Sequence, residues 1–292
     1  MALQSSGTIS LSQVNVELGL STTAVISLND AAVRALFQVG SGGIALSNGY
    51  GKSRSFNANI VISGNVDRYN LYNAVVALGW NQSVMVNISV VINSGVYVYS
   101  STTATPAFVT GSFPAGSSIS IVNNGTIVGM GGAGGNASAG AGQPGGGAFL
   151  AQTSIILTNN STIAGGGGGG GAGGYFTFST GYLVAYHGGY GGSGGQSGLV
   201  NSSGGSGINY PGYSTNPGGS GAVGTISAAG ASQYNTYAPG TYGVGGAGGS
   251  WGASGAVGGS GGAGAGGAGG FCTSGSGYIS WAATGSRYGG II

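Results

Sequence analysis

Apolar positions in this chain follow three spacings, one after another. Over residues 1–54 the spacing is helical. Ser10–Leu20 reads SLSQVNVELGL, with a serine to cap and a glycine to stop, and predicts one short helix. Ser27–Gly43 predicts a second. Ser27 or Asn29 can cap it, Asp30 falls in its first turn, Val33, Leu36 and Phe37 share a face, and Gly40 ends it. NGYGKS (Asn48–Ser53) reads as a turn. This stretch has the character of a small helical attachment module.

Over residues 55–128 the pattern becomes that of strands. Val84–Ile92 and Val96–Tyr99 are rich in β-branched and aromatic residues, with a tight-turn NSG between them, and Ser118–Gly129 continues the pattern. Asn70–Trp80 predicts a short helix ahead of the first strong strand. The stretch is expected to be a β-rich domain.

The chain then repeats itself. Asn123 and Asn124 recur as Asn159 and Asn160, Thr126 and Ile127 as Thr162 and Ile163, and Gly129, Gly131 and Gly132 as Gly165, Gly167 and Gly168, all at an offset of 36 residues. Each copy is a strand, an Asn turn, a second short strand and a glycine run. Self-similarity of this kind points to stacked units, with the asparagines placed to form a ladder between neighbouring turns. It also leaves room for an intertwined homotrimer.

The third spacing belongs to glycine. Every third residue from Gly240 to Gly270 is glycine, and Gly188–Gly195 and Gly218–Gly224 are built the same way. Period three is neither helical nor β; it matches the extended three-residue turn of polyproline II, which has no internal hydrogen bonds. Backbone groups in such a rod need lateral partners, and residues without a Cβ let neighbouring rods approach. The strict stretch holds no proline, which disfavours a collagen triple helix. Residues 129–292 are therefore expected to form a packed bundle of polyglycine-II-type helices, giving a mainly β and irregular fold with a small helical N-terminal adapter.

Segments of different composition interrupt the glycine runs: Tyr175–His187, Gln196–Pro217, Thr225–Tyr242 and Phe271–Tyr288. They are rich in Tyr, Asn, Ser, Thr and Trp. That mixture combines contact area at low entropic cost with adaptable hydrogen bonding. They read as long presenting loops on a rigid scaffold.

Composition narrows the chemistry. The 292 residues include 71 glycines, and only 3% are charged. Of the charged residues, Glu17, Asp30, Arg34, Lys52, Arg54, Asp67 and Arg68 precede Tyr69, and Arg287 alone follows it. A net charge of +2 forms no basic patch, so no nucleic-acid partner is expected. No apolar run is long enough to cross a membrane, and no secretory leader pattern is visible. Glycoside hydrolysis needs paired carboxylates, and Glu17, Asp30 and Asp67 all lie outside the glycine-rich region. Cys272 is a lone cysteine without metal-site spacing. The expectation is a non-enzymatic protein with no cofactor and no metal.

The alternation of glycine runs at 129–135, 140–147, 165–174, 188–195, 218–224 and 243–270 with aromatic-polar segments resembles the glycine-rich distal tail-fibre adhesins of T-even-type bacteriophages. The resemblance covers residues 117–292. It implies a sandwich of polyglycine II helices whose loops bind a bacterial surface receptor, either an outer-membrane protein or a glycan. Residues 26–53 instead resemble a short module of other tail-associated phage proteins, which implies attachment to a tail or fibre protein. The expected location is the virion, after synthesis in the host cytoplasm. Candidate receptor-contacting residues are Tyr182, Tyr186, His187, Tyr210, Tyr213, Tyr234, Tyr237, Trp281 and Tyr288. Trp251, inside the strict repeat, is expected to pack laterally or to mark a turn between runs. Two other readings fit the composition: a structural fibre component that binds no receptor, and an ice-binding or other glycine-rich structural protein.

Overall fold

A computed structural model describes residues 3–82, 84–136, 140–172, 245–259 and 264–292. They fall into two compact units, one within residues 1–59, 75–88 and 113–119, the other within 60–74, 89–112 and 120–292.

The first unit holds helices α1 (Leu11–Glu17) and α2 (Ala31–Phe37). Ser10 caps α1 in a capping box with Gln13. Val14, Val33, Leu36 and Phe37 are buried together with Leu3 and Ile9. Gly49 is required against this core, because a Cβ there would lie 2.6 Å from the Phe37 ring. The start of α2 differs from the sequence expectation. Asp30 is the N-cap residue, not a first-turn residue, and its carboxylate accepts from the Ser27 amide at 2.8 Å. The helix also ends before Gly40. Gln38 takes the left-handed conformation (φ 60), and the Val39 amide returns to the Arg34 carbonyl at 2.9 Å. Glu17 is buried and accepts from Ser53 Oγ and the Arg54 amide at 2.9 and 2.7 Å.

The strands come in a repeating order. The first circuit is β1 (Ser55–Ile62), β2 (Val66–Asp67) and β3 (Tyr69–Asn70), followed by helix α3 (Leu71–Ala77). The second is β4 (Met85–Ile92), β5 (Tyr97–Tyr99) and β6 (Phe108–Val109). The third is β7 (Ser118–Asn123), β8 (Thr126–Val128) and β9 (Phe149–Leu150). The fourth is β10 (Ile155–Asn159), β11 (Thr162–Ala164) and β12 (Thr273–Ser274). The last is β13 (Ile279–Ala283) and β14 (Ser286–Tyr288). Three sheets result, in the orders β1-β4-β7-β10-β13, β2-β5-β8-β11-β14 and β3-β6-β9-β12. Pairing along the second and third sheets, and of β10 with both its neighbours, is parallel. Each circuit thus visits the three sheets in turn, as in a β-solenoid.

The 36-residue repeat is one turn of this coil. Ile121 pairs with Leu157 and Ile127 with Ile163, and all four are fully buried. The stacking lies within one chain, so the repeat needs no second chain to explain it. Inward residues form columns. In the third sheet Tyr69, Phe108 and Phe149 line up, with ring centroids 5.2 and 4.9 Å apart. The NSG turn at Asn93–Gly95 carries the chain from one sheet to the next.

The segment Phe271–Tyr288, expected as a loop, is instead β12 to β14. Alternation explains why. Ile279 and Trp281 follow Ile155 and Leu157 in register, while Ser280 and Ala282 face solvent. The aromatic-polar composition that suggested a loop is a strand pattern at the end of a coil.

Candidate functional site

All the long insertions leave the coil at one corner, between the second and third sheets. Residues 129–148 connect β8 to β9, and residues 165–272 connect β11 to β12. The described parts contain neither helix nor strand over 129–136, 140–147, 165–172, 245–250, 253–258 and 264–270; residues 251 and 252 form a turn. Their amides are bonded sideways, at every third residue. Gly129, Gly132 and Gly135 donate to Ala164, Gly167 and Gly170 at 2.8–2.9 Å, so the first and third segments run parallel. Gly166, Gly169 and Ala172 donate to Gly146, Gln143 and Gly140, so the second and third run antiparallel. Gly246, Gly249 and Gly252 donate to Gly171, Gly168 and Gly165, and Gly264, Gly267 and Gly270 to Ala172, Gly169 and Gly166. Gly168 and Gly171 themselves donate to Ala253 and Ala256.

The run 165–172 is therefore surrounded by five other segments. This accounts for the unbroken glycine of residues 165–171. A Cβ at Gly169 would lie 1.9 Å from the Ala133 carbonyl oxygen, at Gly170 1.9 Å from that of Gly246, and at Gly171 1.9 Å from that of Gly264. Three successive residues face three different neighbours, and Gly165, Gly166 and Gly168 are as closely approached by backbone, so these positions of the central run have no space for a side chain. Outer segments carry alanine or larger residues between their glycines, as at Met130, Ala133, Gln143 and Ala253. Among the described residues of these segments only Gly252 has a positive φ (68), at the turn beside Trp251.

Trp251 ties this array to the coil. It is buried against Val128 and Ala164, with Tyr97, Tyr99 and Tyr288 around it, and its ring centroid is 6.2 Å from that of Tyr288. It both packs laterally and sits in a turn between two segments.

The opposite end of the array is held by a second set of bonds. The Gly140 amide donates to Asn136, Ala172 to Gly140, Gly246 to Gly171, Gly264 to Ala172, and Gly258 to Gly264. The described residues that flank 137–139, 173–244 and 260–263 thus all lie at one end. Of the candidate contact residues, Tyr182, Tyr186, His187, Tyr210, Tyr213, Tyr234 and Tyr237 lie outside the described residues. Trp281 and Tyr288 are described and are not at that end. The Tyr288 carbonyl accepts from Gly165, at the coil end of the central run, and Trp281 lies beneath the guanidinium of Arg287 at 4.9 Å. Sequence reasoning missed this Arg287–Trp281 pairing; the shared register of the repeat was the signal for it.

Titratable chemistry near these elements is sparse. Burial pushes the Cys272 thiol up to about 11, only partly offset by the Arg287 charge and a backbone hydrogen bond from Tyr288. Its Sγ donates to the Ile163 carbonyl at 3.3 Å. Burial also acts to raise Asp67, but hydrogen bonds from the Ser101 hydroxyl, Arg68 and the Ser101 amide outweigh it and hold the carboxyl below 3.8. Asp67 fastens the corner after β5, accepting from the Ser101 amide and hydroxyl at 2.8 and 2.7 Å. Burial raises the Tyr69 phenol. No group of three or more metal-ligating side chains occurs among the described residues, and none of their helices is long and apolar enough to cross a membrane.

The family model described as phage tail fibre adhesin Gp38 matches residues 57–292. The fold is similar to that in the crystal structure of the gp37-gp38 adhesin tip complex of the bacteriophage S16 long tail fibre. Identity there is 21%, the whole of both chains is covered, and the TM-score is 0.56. No curated protein matches the chain. The family match spans most of the sequence, and the chain therefore belongs to the phage tail fibre adhesin Gp38 family, whose place is the tail of the virion.

Proposed function

We propose that the chain binds a bacterial surface receptor, an outer-membrane protein or a glycan, through segments displayed at the far end of the glycine array. The observation that carries this reading is the convergence of Asn136, Gly140, Ala172, Gly246, Gly258 and Gly264 at one end. Residues 173–244, with Tyr182, Tyr186, His187, Tyr210, Tyr213, Tyr234 and Tyr237, are attached there and supply the contacts. The array is a bundle of polyglycine-II-type helices. Lateral bonding at period three, absence of helix and strand, and backbone approaches too close for a Cβ all support that description. Such a bundle holds its display end fixed relative to the coil.

Residues 1–54 form an attachment module, 55–128 open the β-rich domain, and 129–292 carry the display. The module joins the chain to a fibre protein. Its exposed Leu11, Val16, Leu20 and Val25 support a contact surface there, as does the presence of gp37 beside gp38 in the S16 complex. The protein works by binding, without catalysis; in the glycine-rich region no carboxylate side chain is available for acid–base chemistry. Purified protein should bind host cells and compete with phage adsorption. Protein that did neither would overturn the reading.

A further inference from the structure

Each of the three sheets is a ladder with a terminal strand at either side. β2 and β3 are terminal strands at one end. At the other end stand β13 and β14, together with Ile291, which bridges to Thr273 in parallel. The inward column of the second sheet reads Val66, Val98, Ile127, Ile163, Arg287. Val98, Ile127 and Ile163 are fully buried, so the column faces the lumen of the coil. Its last member is a guanidinium. In the first sheet the buried Leu157 is followed by the half-buried Trp281. Arg287 lies 4.9 Å over that ring. It has no acidic side-chain partner among the described residues; the carboxylate side chains of the chain are Glu17, Asp30 and Asp67, and Asp67 pairs with Arg68. Two positions from the inward columns of two sheets therefore meet on the terminal strands β13 and β14, and one of them carries a charge.

We propose that the last coil is a docking surface for the first coil of a second copy of this chain, and that Arg287 holds it closed. The ladder itself selects this occupant. β13 and β14 belong to the same sheets as β1 and β2, so another copy's first coil offers them the parallel pairing that each coil offers the next. The contact is head-to-tail and does not close on itself, which makes it a route to filaments. Addition would place Arg287 against Val66 of the incoming copy, where Ile163 now meets Ile127. Asp67 is next to Val66, but successive strand residues point to opposite faces, and its oxygens are held by Ser101 and Arg68. The guanidinium would be buried among aliphatic groups without a partner, which is strongly unfavourable. An inward-pointing charge on an edge strand is a known protection against edge pairing. The cation–π contact holds Arg287 over the Trp281 ring, where the residue is exposed to water.

Sedimentation of the full-length Arg287→Val chain beside the wild type tests this. The variant should form species whose weight-average mass rises with concentration, at least about twofold above a wild type that does not change. Arg287→Lys should sediment like the wild type. Adding Val66→Lys at the opposite end should return Arg287→Val to the wild-type distribution. An Arg287→Val chain that sediments like the wild type overturns the proposal. So does association that Val66→Lys fails to reverse, since misfolded aggregate would not depend on the other end of the coil.

Discussion

The side-chain amide of Asn123 donates to Asn159 Oδ1 at 2.8 Å, one coil further on, and both residues are fully buried. The ladder continues from Asn159 Nδ2 to the Thr284 carbonyl at 2.7 Å, and Asn123 Oδ1 accepts from the Gly125 amide. These asparagines satisfy the backbone at a corner where the chain passes between sheets. Asn123 Nδ2 also donates to the Thr162 carbonyl at 3.1 Å, so Asn159→Ala should cost it one of two acceptors and remove the donor to the Thr284 carbonyl, about 1–3 kcal/mol in all. The exposed Asn160, which donates to Asn124 at 2.9 Å, should cost only about 0.5 kcal/mol on change to alanine. Denaturant unfolding of the two variants measures the contrast.

Glycine in the central run should be irreplaceable. Gly169→Ala puts a methyl 1.9 Å from a backbone oxygen that other bonds hold in place, and should cost about 3 kcal/mol or more. Gly277→Ala, where a Cβ meets nothing within 4 Å, should change the melting temperature little. Equal effects at the two positions would contradict the lateral packing.

Trp251→Ala should cost about 3–5 kcal/mol, the range for deleting a large buried aromatic. Loosening should concentrate where the glycine segments meet the coil, near Val128, Ala164 and Tyr288. Amide exchange at Gly165 and Gly252, which bond at that junction, should accelerate more than exchange at Gly135.

Much of this was legible in the sequence because its periods are physical. The offset of 36 residues is one coil, and the glycine period of three is the spacing of the lateral hydrogen bonds. The helices around Val14 and Val33 showed in their apolar faces. The first turn of α2 did not, because Asp30 and Ser27 exchange roles through one hydrogen bond. Phe271–Tyr288 looked like a loop because a terminal coil is exposed and so carries Ser, Thr and Tyr; only its pairing with β10 and β11 reveals strands. Trp281 and Tyr288 lie at the end and flank of the coil, whereas Tyr182, Tyr186, Tyr210, Tyr213, Tyr234 and Tyr237 lie outside the described residues.

Cys272 should be inert in the native protein. Its thiol is held up to about 11 chiefly by burial, against an ordinary 9.0. The unfolded chain ionises first, so this group's contribution to stability falls as pH rises from about 9 to about 11. At pH 8 a thiol reagent should react only after denaturation. Rapid labelling of native protein would contradict the buried placement.

Exchange of residues 173–244 with the corresponding segment of another Gp38-family adhesin, tested by adsorption to the two hosts, probes the display role most directly. Host specificity should follow the exchanged segment while the remaining coil and N-terminal module stay constant. Specificity that instead followed residues 1–120 would show that recognition lies elsewhere in the chain.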